Sequence, residues 1–388
     1  MTSAAVSEPA LSPRLAVRRL TLADFRCYAH LRLDTDPRPV VLTGANGAGK
    51  TNLLEALSFL APGRGMRRAS MADVARRESG SSAWAVAAVL DGPAGRMDIG
   101  TGRDGASERR AIRVDGQPAR ARDLAGLVSA LWLTPAMDRL FIEGAGGRRR
   151  FLDRLVLGQD AGHAARSGAY EHAMRERSRL LRAGNGDGAW LTALEDAMAR
   201  HGVAVARARE KTATRLDAAC RDGLGAFPAA RLTLAGAVED WLAGQADDEA
   251  AAVAAEDRLR VALSRARARD AAAGAATLGP HRSDLAVRHG GKDLPAGQCS
   301  TGEQKAVLVS IVLAQARVRT LLSGLAPLLL LDEVVAHLDE ARRVALFDEL
   351  AGLNAQSWMT GTDDSMFAGF GKRAQFFRVA DAMVHPQS

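Results

Sequence analysis

The sequence predicts an α/β fold with a compact α-helical lobe inserted into it. Near the N-terminus, a short apolar run at residues 40–42 leads into a glycine-rich segment and then a helical pattern. Near the C-terminus, the apolar run at residues 328–331 ends at two carboxylates. Between them, residues 123–276 are rich in Ala, Arg, Leu and Glu with few β-branched runs, which is typical of helices.

Composition limits the function classes. The chain has 388 residues, of which 47% are hydrophobic and 25% charged, so it can build a core and is long enough for two lobes. Its net charge of +7 favours a polyanionic partner. Only five of its 52 basic residues are lysine, however, so a coding bias towards arginine explains the charge equally well. Aromatic residues make up 4%, which argues against base stacking as the main route to nucleic acid.

The cysteines and the apolar runs bear on location. Cys27, Cys220 and Cys299 are far apart and odd in number, as expected in a reducing cytoplasm. Residues 1–13 lack the apolar stretch of a secretory signal, and the run at 325–331 is too short to span a bilayer. We expect a soluble, cytoplasmic protein with no membrane partner.

The first third of the chain is predicted to form strands followed by one helix. Residues 1–13 read as a disordered lead-in. Alternating apolar and polar residues over 15–33 predict a β-hairpin or edge sheet, and the continuous apolar run at 40–42 predicts a buried strand. A helix follows the glycine-rich segment and is broken at Pro62 and Gly63.

The middle and the end of the chain differ in pattern. Helices are predicted at 170–182, 190–218 and 256–273, with a turn at 184–188 and no sustained heptads, hence no long coiled coil. The last third predicts a helix over 301–321, a strand over 328–331, a helix over 339–353 and a strand near 357–360. We therefore divide the chain into the N-terminal part of an α/β lobe (14–122), a helical lobe (123–276) and the C-terminal part of the α/β lobe (277–388).

The glycine-rich segment fits the phosphate-loop pattern G-x-x-x-x-G-K-[ST] in full, between a strand and a helix. Its backbone N–H groups and the helix N-terminus would bind nucleotide phosphates. Lys50 would reach the β- and γ-phosphates as part of the catalytic machinery, and Thr51 would offer its hydroxyl to Mg²⁺. The predicted ATP-binding residues of this loop are Gly44, Ala45, Asn46, Gly47, Ala48, Gly49, Lys50 and Thr51.

Asp332 and Glu333 follow the strand at 328–331, at the edge where open α/β sheets bind ligands. Asp332 would hold Mg²⁺, and Glu333 would polarise the attacking water as the general base. A carboxylate pair after a strand is common by chance, but together with the phosphate loop it indicates an ATPase.

The segment that starts at Ser300 indicates which class of ATPase this is. Ser300 with Glu303 forms a capping box at the start of an apolar helix. The Ser300-x-Gly302 start, 32 residues before Asp332, also resembles the signature of ABC-type ATPases, which faces the nucleotide of a partner subunit. Asp339 then resembles the residue that crosses the dimer interface in that class. The resemblance implies a homodimer that ATP closes.

The number of residues between the phosphate loop and the Ser300 signature discriminates among ABC-type proteins. Ser300 lies 256 residues after Gly44, more than in transporter cassettes and far less than in the long-armed chromosome-maintenance proteins. The fold class predicted is therefore an ABC-type ATPase head (P-loop NTPase) with an inserted helical lobe. A transporter-type ATPase subunit and a non-hydrolysing scaffold stay open as alternatives.

Several further strings resemble the RecF family of SMC-like ATPase heads. They are the phosphate loop with Asn52, the F-R-x-Y string with Arg26, R-R-x-F-L-D from Arg148, G-P-H-R-x-D-L from Gly279, and D-E-V-x-x-x-L-D from Asp332. The resemblance implies that Arg26 lies near the nucleotide phosphates. It also implies a weak, DNA-stimulated ATPase that acts in DNA repair, replication restart and SOS induction, with RecO and RecR as partners.

The implied DNA partner is single-stranded or gapped duplex DNA, bound without reading sequence. The candidates for phosphate contacts are basic clusters at residues 64–68, at Arg148–Arg150, at residues 175–182 and at 258–269, although most helical arginines are solvated. Two departures from related ATPases predict slow hydrolysis. Thr362 stands where many relatives have a switch histidine, and residues 134–138 contain no glutamine to sense Mg²⁺.

Overall fold

A computed structural model describes residues 14–105, 107, 109–184 and 187–387. The predicted lead-in, 1–13, lies outside the described residues. The chain divides into two compact units. The first comprises Met1–Leu133, Arg319–Ala336 and Leu346–Ser388, and the second Thr134–Val318 and His337–Ala345. The second unit thus begins later than the predicted helical lobe and continues beyond it to Val318.

Strands dominate the first unit and helices the second. The strands are β1 (Ala16–Phe25), β2 (Tyr28–Asp34), β3 (Val40–Thr43), β4 (Trp84–Gly92), β5 (Gly95–Arg103), β6 (Ala111–Val114), β7 (Gln117–Pro118), β8 (Ala130–Leu133), β9 (Ala230–Ala235), β10 (Asp284–His289), β11 (Leu294–Pro295), β12 (Leu328–Leu331), β13 (Ser357–Gly361), β14 (Gln375–Ala380) and β15 (Met383–Gln387). The α-helices are α1 (Lys50–Ser58), α2 (Ala145–Leu157), α3 (His163–Ala183), α4 (Gly188–Cys220), α5 (Ala237–Leu242), α6 (Glu249–Arg265), α7 (Arg267–Ala273), α8 (Thr301–Ser323) and α9 (Glu340–Gly352).

The central sheet of the first unit joins both ends of the chain. Its order is β15-β14-β3-β13-β12-β8, parallel throughout except for β15. The strands β3, β12 and β13 are buried at every position. The continuous apolar runs at 40–42 and 328–331 predict this burial for β3 and β12. Strand β8 was not predicted, because four apolar residues within helix-rich sequence do not distinguish a buried strand from a buried helix.

An antiparallel sheet completes the first unit, in the order β2-β1-β4-β5-β6-β7. The hairpin predicted over 15–33 is β1 and β2, paired with Leu20 opposite Leu33. Phe25 packs edge-on against Phe59 and Trp84, with ring centroids 6.0 and 5.8 Å away. These aromatic contacts fix β1 and β4 on the segment that follows α1.

In the second unit, helices α3, α4, α5 and α6 enclose an apolar core that includes Met198, Val203, Leu242 and Leu259. Two details of the helical prediction are wrong. The helix predicted over 256–273 is two helices, α6 and α7, which meet at Ala266. Strand β9 lies within the predicted helical lobe and pairs with β10, which pairs with β11 on its other side. Of the predicted turn at 184–188, residues 185 and 186 lie outside the described residues.

Helix α8 is the one helix among the described residues that is long and apolar enough to cross a membrane. Two thirds of its most apolar window, 67%, is buried inside the molecule. Core helices of soluble proteins meet the same length and composition criteria, so this helix is weak grounds for a membrane span.

Candidate nucleotide-binding site

The loop between β3 and α1 depends on two glycines for its path. Gly44 has φ +147°, and a Cβ there would lie 2.1 Å from the carbonyl oxygen of Val379. Gly49 has φ +112°, and a Cβ there would lie 2.7 Å from the Tyr28 hydroxyl oxygen. Both positions combine a backbone conformation that L side chains rarely adopt with a close neighbour. The loop therefore requires glycine at each of them.

Helix α1 begins directly after this loop without a side-chain cap. Its N-cap residue, Gly49, has no side chain to accept from the first N–H groups, and the first turn contains no acidic residue. The first N–H groups of a helix need acceptors from outside the helix, and the helix dipole favours an anion there. This end of α1 therefore suits the phosphate groups of a nucleotide.

The Lys50 side chain lies back along the loop. Its Nζ donates to the carbonyl oxygens of Gly44 at 2.6 Å and Ala45 at 2.8 Å. Burial lowers the pKa of Lys50, while the negative charges of Glu333 and Asp332 oppose that effect. The ammonium is thus held over the loop and close to the two carboxylates that the sequence singles out.

Thr51 and Asp332 meet at the carboxyl end of the parallel sheet. The Thr51 hydroxyl donates to Asp332 Oδ1 at 2.9 Å, and the Thr360 hydroxyl donates to the same oxygen at 2.8 Å. Mg²⁺ prefers oxygen ligands, and it commonly takes one or two from the protein and the rest from water and phosphate. The hydroxyl and carboxylate oxygens present here fit that requirement.

Thr360 is a contributor that the sequence analysis missed. Its Oγ1 accepts the backbone N–H of Glu333 at 2.9 Å in addition to donating to Asp332. The only sequence signal for this role is a threonine near the end of a predicted strand. Thr360 lies beside Asp332 because β13 pairs with β12 in parallel. The sequence did not predict that pairing.

Glu333 has an unusual backbone for a residue with a long side chain. Its φ is +51°, in the left-handed region, where a non-glycine residue costs of the order of 1–3 kcal/mol. Strain of this kind persists where the surroundings impose it, and it recurs at active sites.

Arg26 is bound to a helix carboxylate. Its guanidinium donates to Glu55 through Nε at 2.8 Å and through a terminal nitrogen at 2.6 Å, and to the Asp73 carbonyl oxygen at 2.6 Å. The Glu55 side chain is 1% exposed, so this pair joins the β1–β2 turn to the buried face of α1. The predicted role of Arg26 beside phosphates stays a prediction.

Ser300, Gly302 and Asp339 belong to the second unit. Ser300 and Glu303 form the predicted capping box, in which each backbone N–H donates to the other side chain. Hydrogen bonds from Lys292 and then from Ser300 lower the pKa of Glu303 to about 2. Asp339 caps α9 by accepting the N–H of Arg342 at 2.8 Å, with its side chain 58% exposed. Their roles towards a partner's nucleotide stay predictions.

Several arginines of the basic clusters are bound by carboxylates. Arg148 makes a two-point ion pair with Asp284 at 2.7 and 2.8 Å, which joins the R-R-x-F-L-D string to the G-P-H-R-x-D-L string. Arg177 is completely buried between Glu195 and Asp270. These two arginines have structural partners within the second unit, so they do not belong to an open basic surface.

Comparison with known proteins agrees with this site. The family model described as RecF/RecN/SMC N terminal domain matches residues 16–384. DNA replication and repair protein RecF of Mesorhizobium japonicum is 52% identical over 95% of this chain and 97% of its own length. The RecF protein of Rhizobium meliloti is 50% identical over 96% of this chain and 99% of its own.

Solved structures share the fold. The recombination mediator protein RecF with ATPrS, in the RecFOR pathway, superposes with a TM-score of 0.83 at 20% identity, covering 97% of this chain and 99% of that chain. An Smc head domain of Pyrococcus furiosus superposes with a TM-score of 0.53 at 16% identity, covering 96% of each. The predicted fold class, an ABC-type ATPase head without a long coiled coil, is confirmed. Identity near 50% over almost the whole chain shows that the protein belongs to the RecF family of DNA replication and repair proteins.

Proposed function

We propose that this chain is an ATP-switched, DNA-binding recombination mediator of the cytoplasm. Its membership of a DNA replication and repair family supports action at single-strand gaps, in replication restart and in SOS induction. One observation carries the ATPase assignment: Thr51 of the phosphate loop and Asp332 of the second motif share a hydrogen bond at the carboxyl end of a parallel sheet.

Different residues of the first unit have different roles in ATP hydrolysis. When bound, MgATP supplies the phosphoanhydride that is hydrolysed. Lys50 now donates to two carbonyl oxygens of the loop and would donate to phosphate oxygens instead, while Thr51 and Asp332 would hold the metal ion. Glu333 accepts the proton of the attacking water, with its backbone fixed by Thr360.

We further assign Ser300, Gly302 and Asp339 to the nucleotide of a second copy of the chain, and Arg26 to the nucleotide of its own. A Cβ at Gly302 would meet nothing within 4 Å, so the start of α8 leaves room for a ligand. Binding of one nucleotide by two copies makes ATP a clamp that favours the dimer.

Single-stranded or gapped duplex DNA is the proposed polyanionic partner, and RecR and RecO are the proposed protein partners. Similar solved structures are described as RecF in the RecFOR pathway, in complex with ATP or ATPrS. Binding through phosphates without base reading would weaken roughly a thousandfold or more between about 50 and 200 mM salt, if six or more phosphates are neutralised.

The test is the molecular mass in solution of the wild type and of Glu333→Gln, each with and without Mg-ATP and gapped duplex DNA. We expect Glu333→Gln to bind ATP, hydrolyse it slowly and accumulate dimers that retain DNA. A variant that binds ATP tightly yet stays monomeric with and without DNA would refute the clamp and leave Ser300 as a helix cap alone.

A further inference from the structure

A groove lies within the second unit, near the end of the helical lobe that the sequence predicts over residues 123–276. It is formed by α5, α6 and α7 and has a volume of about 620 Å³. Val261, Ala262 and Ala266 contribute to its floor, and Trp241 lines it on the α5 side. Cavities of this size hold small ligands or a few side chains of a partner. The residues of this groove have no part in the nucleotide site proposed above.

Three arginines line the groove without a carboxylate partner. Arg258, Arg265 and Arg269 are exposed and form no ion pair with any residue in the described part of the chain. The one acidic residue of the lining, Asp257, is bound by Arg260, which also pairs with Asp196. The groove therefore presents an uncompensated positive rim above an apolar floor.

Apolar side chains continue along the outer face of α6. Val253 and Val261 are 53% and 49% exposed, and they lie eight residues apart, on one side of the helix. Exposed apolar residues next to arginine and tryptophan match the composition of protein interfaces, in which these two types often dominate binding. Val261 belongs both to this face and to the lining of the groove, which we call the α6 groove.

We propose that the α6 groove binds an acidic peptide segment of a partner protein, with a large apolar side chain in the groove and carboxylates on the arginine rim. Arginine binds carboxylates through paired N–H donors, which suits a rim of three guanidinium groups. Arg258 and Arg265 are seven residues apart, about 10 Å along the helix. They therefore suit carboxylates about two turns apart on a helical peptide, or about three residues apart on an extended one.

A nucleic-acid strand fits this surface less well. Base stacking needs an open aromatic face, and Arg258 already lies over the Trp241 ring at 4.6 Å from its centroid. Phosphate contacts need no apolar floor, whereas Val261, Ala262 and Ala266 supply one. The combination of apolar floor and cationic rim therefore favours the peptide.

The test uses the full-length protein and a labelled synthetic peptide in which aspartates and glutamates flank a central leucine–phenylalanine pair. Fluorescence anisotropy measures its affinity for the wild type, for Arg265→Glu combined with Arg269→Glu, and for Val261→Asp. All three substituted residues are exposed, so circular dichroism should show an unchanged fold. We expect each variant to weaken binding about tenfold or more.

The matched control is Arg175→Glu combined with Arg179→Glu, which reverses two exposed charges on α3 of the same unit. We expect it to change peptide affinity less than about threefold. An undetectable wild-type affinity, or an equal loss in the control, overturns the proposal. It is also overturned if the groove variants lose a single-stranded oligonucleotide while their peptide affinity is unchanged, since the groove then serves nucleic acid.

Discussion

The hydroxyl of Thr51 donates to the carboxylate of Asp332 across 2.9 Å, although 281 positions separate the two residues in sequence. The Thr360 hydroxyl donates to the same carboxylate oxygen at 2.8 Å. Two hydroxyl groups thus hold Asp332 in one orientation at the carboxyl end of β12. The oxygen atoms expected to bind a metal ion are already brought together by the start of α1 and the end of β12.

Asp332→Asn should therefore remove the dependence of ATP binding on Mg²⁺. The amide keeps the shape of the carboxylate but loses the charge that favours a divalent cation. We expect ATP affinity in Mg²⁺ to fall about tenfold or more, while affinity in EDTA changes little. Calorimetric titration with and without Mg²⁺ measures both, and Asp363→Asn, an exposed carboxylate that caps the next segment, is the control. An undiminished response to Mg²⁺ in Asp332→Asn would exclude this residue from the metal site.

Lys50→Ala should weaken ATP binding with or without metal. Hydrogen bonds to charged groups contribute about 1.5–3 kcal/mol, which corresponds to roughly 10- to 150-fold in affinity. Displacement of a fluorescent nucleotide measures the loss. Lys372→Ala, at an exposed lysine in the same unit, should bind as the wild type does. Unchanged affinity in Lys50→Ala would contradict the phosphate-loop assignment.

The elements that surround the nucleotide site were predictable because their signals are local. A glycine-rich loop between a strand and a helix has its own sequence pattern, and the predicted strand at 328–331 matches β12 at both ends. The capping box likewise marked the start of α8 at Thr301. In each case, residues close in sequence make the contacts that determine the structure.

The features that were missed depend on distant contacts. Strand β8 becomes a strand because it pairs with β12, about two hundred residues later in the chain. Thr360 joins the site only because β13 lies parallel to β12. The break between α6 and α7 at Ala266 has no glycine or proline to mark it. Arg177 has the sequence context of a solvated helical arginine, yet it is completely buried by carboxylates from α4 and α7.

That burial gives a stability prediction for two arginines of the same helix. Arg177 donates to Glu195, to Asp270 and to the Leu263 carbonyl oxygen, with no exposed surface. Arg177→Ala removes the buried cation between two buried carboxylates, of which only Glu195 keeps an arginine partner, Arg267. We expect a loss of about 3–5 kcal/mol in the free energy of unfolding. Arg179 pairs with Glu176 in solvent, so Arg179→Ala should change it by less than about 1 kcal/mol. Urea denaturation of both variants measures the difference, and equal losses would contradict the burial of Arg177.

The carboxyl group of Asp153, also in the second unit, makes the stability of the fold depend on pH. Burial alone would raise its pKa, but hydrogen bonds from His163 and Arg209, and their charges, outweigh burial and lower the pKa of Asp153 to about 2. Because the folded-state pKa is below the unfolded value of about 4, the ionised group stabilises the fold above pH 4. That contribution, of the order of 2 kcal/mol, is lost as the pH falls from about 4 to about 2.

Asp153→Asn has no proton to gain over this range. We therefore expect its free energy of unfolding to be lower than that of the wild type at neutral pH, and the gap to narrow as the pH falls from about 4 to about 2. Denaturation curves collected at several pH values across that interval measure the gap. Arg209→Ala should likewise make the free energy of unfolding depend less on pH than it does in the wild type. It removes two of the three hydrogen bonds that Asp153 accepts. A gap between wild type and Asp153→Asn that stays constant with pH would mean that the carboxylate is not held ionised by these partners.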